Sequence, residues 1–335
     1  MKREHYNIVT LDGGGFLGII SILLIEDLIA SIDGFLDRVD LFGGTSTGAI
    51  ISIGLASRLM NAADLINFYE TKGPQVFQDY KPDLPLGLCS HFPELCYPKY
   101  TNVGQIEALK PYYGEATFDD LKNNALVTSF VLSNEKDVRW HPVAFHNLPG
   151  TPFSGVKLLD AIMSSSSPPV MFPPYPIRIP EKCWCVDGAV FANNPTSFTL
   201  AHVHRLRILE ARNMDNGHLR LLSIGTGAKH NTIPFAGFGS PFEWGIYRWL
   251  NPFASSPEPR FPLPMAFWDG QSAVDDFQAE MFLGEHRYRR ANPVLHEAFA
   301  LDDYKAVPRL EELTREYIAS SHWTSIKQWV EREFS

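Results

Sequence analysis

The order of residues near the N-terminus constrains this chain more than any other feature. Residues 6 to 11, Tyr-Asn-Ile-Val-Thr-Leu, form a short apolar, β-branched run that stops at Asp12-Gly13-Gly14-Gly15. An apolar helical pattern then runs from about Gly18 to Ala30. The same unit returns at once, with a strand pattern at Val39 to Phe42, the turn Gly43-Gly44-Thr45-Ser46-Thr47-Gly48, and a small-residue helix from about Ala49 to Leu59. Strands that alternate with helices predict a mostly parallel central sheet covered on both faces, a three-layer α/β/α architecture. With 335 residues, 45% hydrophobic and 20% charged, the chain can bury the core that such a sheet needs.

The alternation continues. Helices are expected at about Asn61 to Thr71, Val103 to Lys110, Leu158 to Ser165 and Thr196 to Ala211, and strands at Ala125 to Leu132, Arg139 to Ala144, Trp184 to Val186 and Leu221 to Ile224. Asp275 to Leu283, Asp302 to Lys305 and Arg309 to Ala319 read as closing helices. Two segments break the rhythm. Residues 72–100 hold prolines at 74, 82, 85, 93 and 98, and residues 230–268 crowd Phe, Tyr and Trp among prolines and glycines without strand alternation. No repeat or linker divides the chain, so residues 1–335 are expected as a single domain carrying these two irregular insertions.

Charge and cysteine usage narrow the partners. With 29 Lys and Arg against 38 Asp and Glu, the net charge is −9, which argues against a nucleic acid polymer as partner and gives no general pull toward anionic lipid. Cys89, Cys96, Cys183 and Cys185 are too few and too unevenly spaced for a secreted disulfide scaffold and are expected as free thiols. The start of the chain lacks a signal-peptide apolar region, and the greasiest stretch, Phe16 to Ile25, is too short to span a bilayer. A cytoplasmic location is expected, with peripheral membrane contact or export without a cleaved signal as routes to a lipid. No HExxH or EF-hand pattern is present, and no cofactor is expected.

Three turns carry chemistry. Gly44-Thr45-Ser46-Thr47-Gly48 has the spacing of a nucleophile elbow, with a strand before it and a helix after it, so Ser46 sits by a helix N-terminus that favours a developing anion. Gly13, Gly15 and Gly18 satisfy the dinucleotide fingerprint G-x-G-x-x-G, yet the acidic residue expected at the end of the second strand is replaced by the elbow itself. The amides of Gly13, Gly14 and Gly15 instead suit an oxyanion hole beside the serine. Cys185-Val186-Asp187-Gly188-Ala189 puts a carboxylate at another strand end, where Asp187 can serve as base. None of the eleven histidines follows a strand in a comparable turn. Two rivals stay open: an α/β-hydrolase esterase with a triad completed by His230 or His286, and a non-catalytic nucleotide-binding module using Gly13 to Gly18.

Taken in order, Gly13 to Gly18, Gly44 to Gly48 and Asp187-Gly188-Ala189 resemble the patatin-like phospholipases, the bacterial type more than the plant storage proteins. Ser164 to Pro174 and Leu222 to Gly227 are similar to further segments of that family. The resemblance implies a lipid acyl hydrolase with a Ser46–Asp187 dyad, a Gly13–Gly15 oxyanion hole, and the motif glycines Gly18, Gly44, Gly48 and Gly188. It also implies an acyl-lipid substrate, transient contact with a membrane surface, a homo-oligomer in some members and a cyclic-nucleotide activator in others. One position departs from the pattern: Leu17 stands where the family usually has arginine or lysine.

Overall fold

A computed structural model describes residues 4–80, 96–134, 139–178, 182–228, 231–233, 240–251 and 261–334. The two N-terminal units form as the sequence indicates. β1 (Tyr6–Leu11) leads through the glycine turn into α1 (Gly18–Ser31), and β2 (Leu41–Gly44) leads through the serine turn into α2 (Thr47–Ser57). There follow α3 (Ala62–Thr71), α4 (Asn102–Tyr113), β3 (Asn124–Asn134), β4 (His141–His146), α5 (Leu158–Ser165), β5 (Tyr175–Ile177), β6 (Cys183–Asp187) and α6 (Thr196–Arg205). The chain continues through β7 (Leu219–Ile224), α7 (Pro262–Leu283), β8 (Tyr288–Ala291), α8 (Val307–Ile318) and α9 (Ser321–Glu333).

All eight strands share one sheet, ordered β5-β6-β3-β2-β1-β7-β8, with β4 on β3. β3, β2, β1, β7 and β8 are mutually parallel, and β4, β5 and β6 join antiparallel. Side chains of the parallel strands alternate between two apolar layers. Val9, Leu11, Phe42, Val127, Leu222 and Ile224 face α1, α2, α5 and α8, whereas Ile8, Leu41, Leu126, Leu219 and Leu221 face α6 and the C-terminal half of α7. Every residue of β1 is buried, the pattern of a strand covered on both sides.

The register around β3 sets up the site. Leu41–Gly44 of β2 pairs with Asn124–Val127, and Cys183–Asp187 of β6 pairs with Ser129–Asn134 of the same strand. β4 overlaps both stretches, pairing with Leu126–Val131, and so takes the opposite edge. β2 and β6 therefore run toward each other along one edge of β3. Gly44 lies opposite Val127 and Asp187 opposite Ser129, which leaves Thr128 alone between the two strand ends.

Several expectations are corrected. The aromatic segment is not irregular to residue 268, because α7 starts at Pro262; a proline in the first turn costs no hydrogen bond there. β5, β8 and α9 carry no marked sequence signal, and the helix expected to run from Thr196 to Ala211 breaks after Arg205. Cys96 is disulfide-bonded rather than free, while Cys183 and Cys185 carry no disulfide. Cys89, His230 and residues 81–95 lie outside the described residues. Among the described residues no helix is long and apolar enough to cross a membrane.

Candidate active site

The C-terminal ends of β1 and β2 lie side by side, with Leu11 in register with Gly44. This puts the glycine turn next to the serine turn. Ser46 has φ 54° and ψ −119°, a backbone conformation that side chains rarely adopt and that throws the hydroxyl out of the turn. The elbow is fixed from all sides. A Cβ on Gly48 would lie 2.1 Å from the Leu11 carbonyl, so only glycine lets α2 start this close to β1. The Thr45 hydroxyl bonds the Ala192 carbonyl and the Thr128 hydroxyl, both at 2.6 Å. The Ser46 amide donates to Ser165 Oγ at 2.8 Å.

Asp187 reaches the same point from the opposite direction along β3. It is 1% exposed, its amide donates to the Ser167 carbonyl at 3.1 Å, and its Oδ1 accepts the Ala189 amide at 2.8 Å. Ser46 lines the same cavity, and its hydroxyl favours the charged form of this carboxyl. Burial pushes the Asp187 carboxyl up to about 7, and only the Ala189 amide and the Ser46 hydroxyl pull the other way. No cation contributes. A carboxylate with this affinity for a proton is matched to accept one near neutral pH.

The glycine loop differs in detail from the expectation. The Gly13 amide is spent on the Asn193 carbonyl at 3.0 Å, and the Phe16 amide on the Leu301 carbonyl at 2.9 Å. Gly14 and Gly15, which line the cavity with Ser46 and Asp187, have amides with no acceptor among the described residues. With the Thr47 amide, which also has no acceptor among the described residues and lines the cavity, these are the donors left beside Ser46. Gly15 holds φ +57°, and a Cβ there would meet the Leu301 carbonyl. Gly18 packs against Thr47 and Tyr69, Gly44 against Gly48, and Gly188 against Thr128, so these three serve close packing.

Leu17 is buried in the apolar layer and offers no charge. A cation reaches the foot of the loop from β8 instead. Arg290 forms a two-pronged ion pair with Asp12, at the foot of the glycine turn, and donates to Ser223 Oγ at 2.7 Å. Burial pushes the Asp12 carboxyl up and the Arg290 guanidinium opposes that push. Asp12 is visible in the sequence only as the start of the turn, and nothing in the sequence marks Arg290 as its partner.

A narrow cavity of about 50 Å³ opens onto Ser46. Phe16, Ile50, Phe68, Phe77, Met171 and Phe172 form its apolar wall, and Gln105 and Ser166 add polar groups. Trp268, from the first turns of α7, closes another side, which ties the aromatic segment to the site. No histidine lines the cavity among the described residues; His286 is exposed.

The sequence profile of the patatin-like phospholipases matches residues 9–200. The chain is similar to CotR of Bacillus subtilis (strain 168), 27% identical over 325 residues that cover 92% of this chain and 93% of that protein. It is also similar to patatin of Solanum tuberosum, 25% identical over 275 residues that cover 74% of this chain and 67% of that protein. Among solved structures it resembles VipD from Legionella pneumophila, at 13% identity and a TM-score of 0.38, covering 92% of this chain and 67% of that one. With the profile spanning the glycine turn, the serine elbow and Asp187, this chain belongs to the patatin-like phospholipase family, whose members act on acyl lipids.

Proposed function

We propose that the chain hydrolyses ester bonds of glycerophospholipids through a Ser46–Asp187 dyad. The observation that carries this reading is the strained Ser46 turn sharing one cavity with a buried Asp187 that no cation holds in its charged form. Ser46 Oγ attacks the ester carbonyl while its proton passes to Asp187, and the carbonyl oxygen, now an anion, is held by the Gly14 and Gly15 amides. The tetrahedral intermediate expels the glycerol-side oxygen, which takes the proton back from Asp187. Water then attacks the acyl-enzyme by the same route, releasing the fatty acid and restoring Ser46. The apolar cavity suits the acyl chain.

Contact with the lipid surface is assigned to the exposed apolar residues beside Trp268. Phe242 is 99% exposed, and Ile246, Tyr247, Phe267 and Phe277 are also exposed. Trp, Tyr and Phe suit a membrane interface without net positive charge.

A serine-directed fluorophosphonate should label Ser46 and leave Ser46→Ala unlabelled. On a phospholipid panel, with and without added cyclic nucleotides, Ser46→Ala and Asp187→Asn should release no fatty acid although both remain folded. Normal turnover by either variant would sink the dyad. Labelling at another serine, or activity that depends on a histidine, would favour a triad instead.

A further inference from the structure

Gln105, on α4, is 3% exposed and lines the cavity beside Ser46. Its Nε2 donates to Ser166 Oγ at 2.6 Å. The Ser166 hydroxyl spends its own proton on the Ile162 carbonyl at 2.7 Å, so it can only accept from Gln105. That fixes which way the amide points. Nε2 must face Ser166, and Oε1 is left buried with no hydrogen-bond partner. A buried carbonyl oxygen without a donor is uncommon and costly.

A short relay ties Gln105 to the serine turn. Ser165, the last residue of α5, accepts the Ser46 amide and Ser166 caps that helix, so Gln105 and Ser46 are anchored to adjacent residues at one helix end. The polar groups lining this part of the cavity otherwise have assigned work: Ser46 and Asp187 are the proposed dyad, and Gly14 and Gly15 offer donors. Gln105 Oε1 is an acceptor with nothing yet to accept.

We infer that Gln105 is a specificity residue that accepts a hydrogen bond from a free hydroxyl on the substrate's glycerol, next to the scissile ester. This rests on the proposed acyl-hydrolase reading and deepens it: the preferred substrate is a monoacyl glycerolipid rather than a diacyl one. An ester in place of the hydroxyl has no proton to give. It would bury the Gln105 oxygen unmet. Sites built to bond a substrate hydroxyl reject the analogue that lacks it far more strongly than apolar pockets reject a missing methylene.

The test varies the substrate before it varies the protein. kcat/KM is measured with a short-chain 1-acyl glycerophosphocholine and with its analogue carrying hydrogen in place of the 2-hydroxyl, both kept monomeric. The wild-type protein should prefer the hydroxyl substrate by about 10- to 100-fold, the range for one unmet buried partner. In Gln105→Met, which keeps length without the acceptor, the ratio should fall to within about threefold of one, because the hydroxyl substrate loses far more than its analogue. A wild-type ratio near one overturns the inference, and that arm needs no variant to fold. Equal losses on both substrates in Gln105→Met also overturn it, since they mark a group that acts on water or on packing. If the wild type cleaves neither ester and takes no fluorophosphonate at Ser46, the acyl-hydrolase reading itself has failed.

Discussion

Replacing Asp187 by asparagine should remove hydrolysis and, above neutral pH, make the fold more stable. The carboxyl sits in the folded chain with a pKa of about 7 against 3.8 in the unfolded one. At about 1.36 kcal/mol per pH unit, that difference corresponds to roughly 4 kcal/mol. Below about pH 4 the group is protonated in both states and costs nothing. As pH rises toward 7 the unfolded chain gives up a proton that the folded chain keeps, so stability falls; above 7 the full cost is present. Asparagine carries no such cost at any pH and still offers an oxygen to the Ala189 amide. Denaturant unfolding of wild type and Asp187→Asn should therefore give near-equal stabilities at about pH 4, with a gap in favour of the variant that widens to as much as about 4 kcal/mol by pH 8. The wild type's kcat/KM should move the opposite way, rising about tenfold between pH 6 and pH 8 as the base becomes ionised. A gap independent of pH, or a rate that is flat from pH 5 to 8, would refute the reasoning, because either result describes an ordinary carboxylate.

Three further outcomes follow from the same geometry. Ser46→Gly should unfold at higher denaturant than Ser46→Ala by about 1–3 kcal/mol, because only glycine relieves the backbone conformation at that position. Arg290→Met should lose about 3–5 kcal/mol, since it strands the buried Asp12 carboxyl, and restoring neutrality with Asp12→Asn in the same chain should recover part of that loss. Replacing Phe242 and Phe267 together by serine should lower activity on phospholipid vesicles several-fold more than activity on a dissolved short-chain ester. Equal losses on the two substrates would place those rings in packing rather than at a lipid surface.

Much of the scaffold was legible because its signals are local. The glycine turns after β1 and β2 and the Asp-Gly after β6 are each written in fewer than ten residues, so Ser46, Gly14, Gly15 and Asp187 stand out as candidates without coordinates. What escaped depends on partners distant in sequence. Nothing in Cys183–Asp187 says that this strand runs antiparallel along β3, and Arg290 shows its purpose only once β8 lies beside β7. The Gly13 amide was expected to be free because its acceptor, the Asn193 carbonyl, is backbone and leaves no trace in side-chain type. The sequence pattern shows only the C-terminal part of α7, from Asp275, because its first residues continue the proline- and aromatic-rich run, although Pro262 and Pro264 fall in the first turn. Gln105 looked like any polar helix residue; its orphaned oxygen is a property of Ser166 as much as of itself.

The gap at Thr128, where β2 and β6 arrive from opposite directions, has a consequence for the life of the chain before it is finished. A polypeptide emerging from the ribosome completes the serine elbow early, but its carboxylate enters much later, and only as the antiparallel strand zips down onto β3. Until then the nascent protein holds the proposed nucleophile without its proposed base. On the proposed dyad, a fragment that stops before residue 187 would carry the serine turn without its base, so the direction of one strand makes completion of the sheet the step that arms the chain.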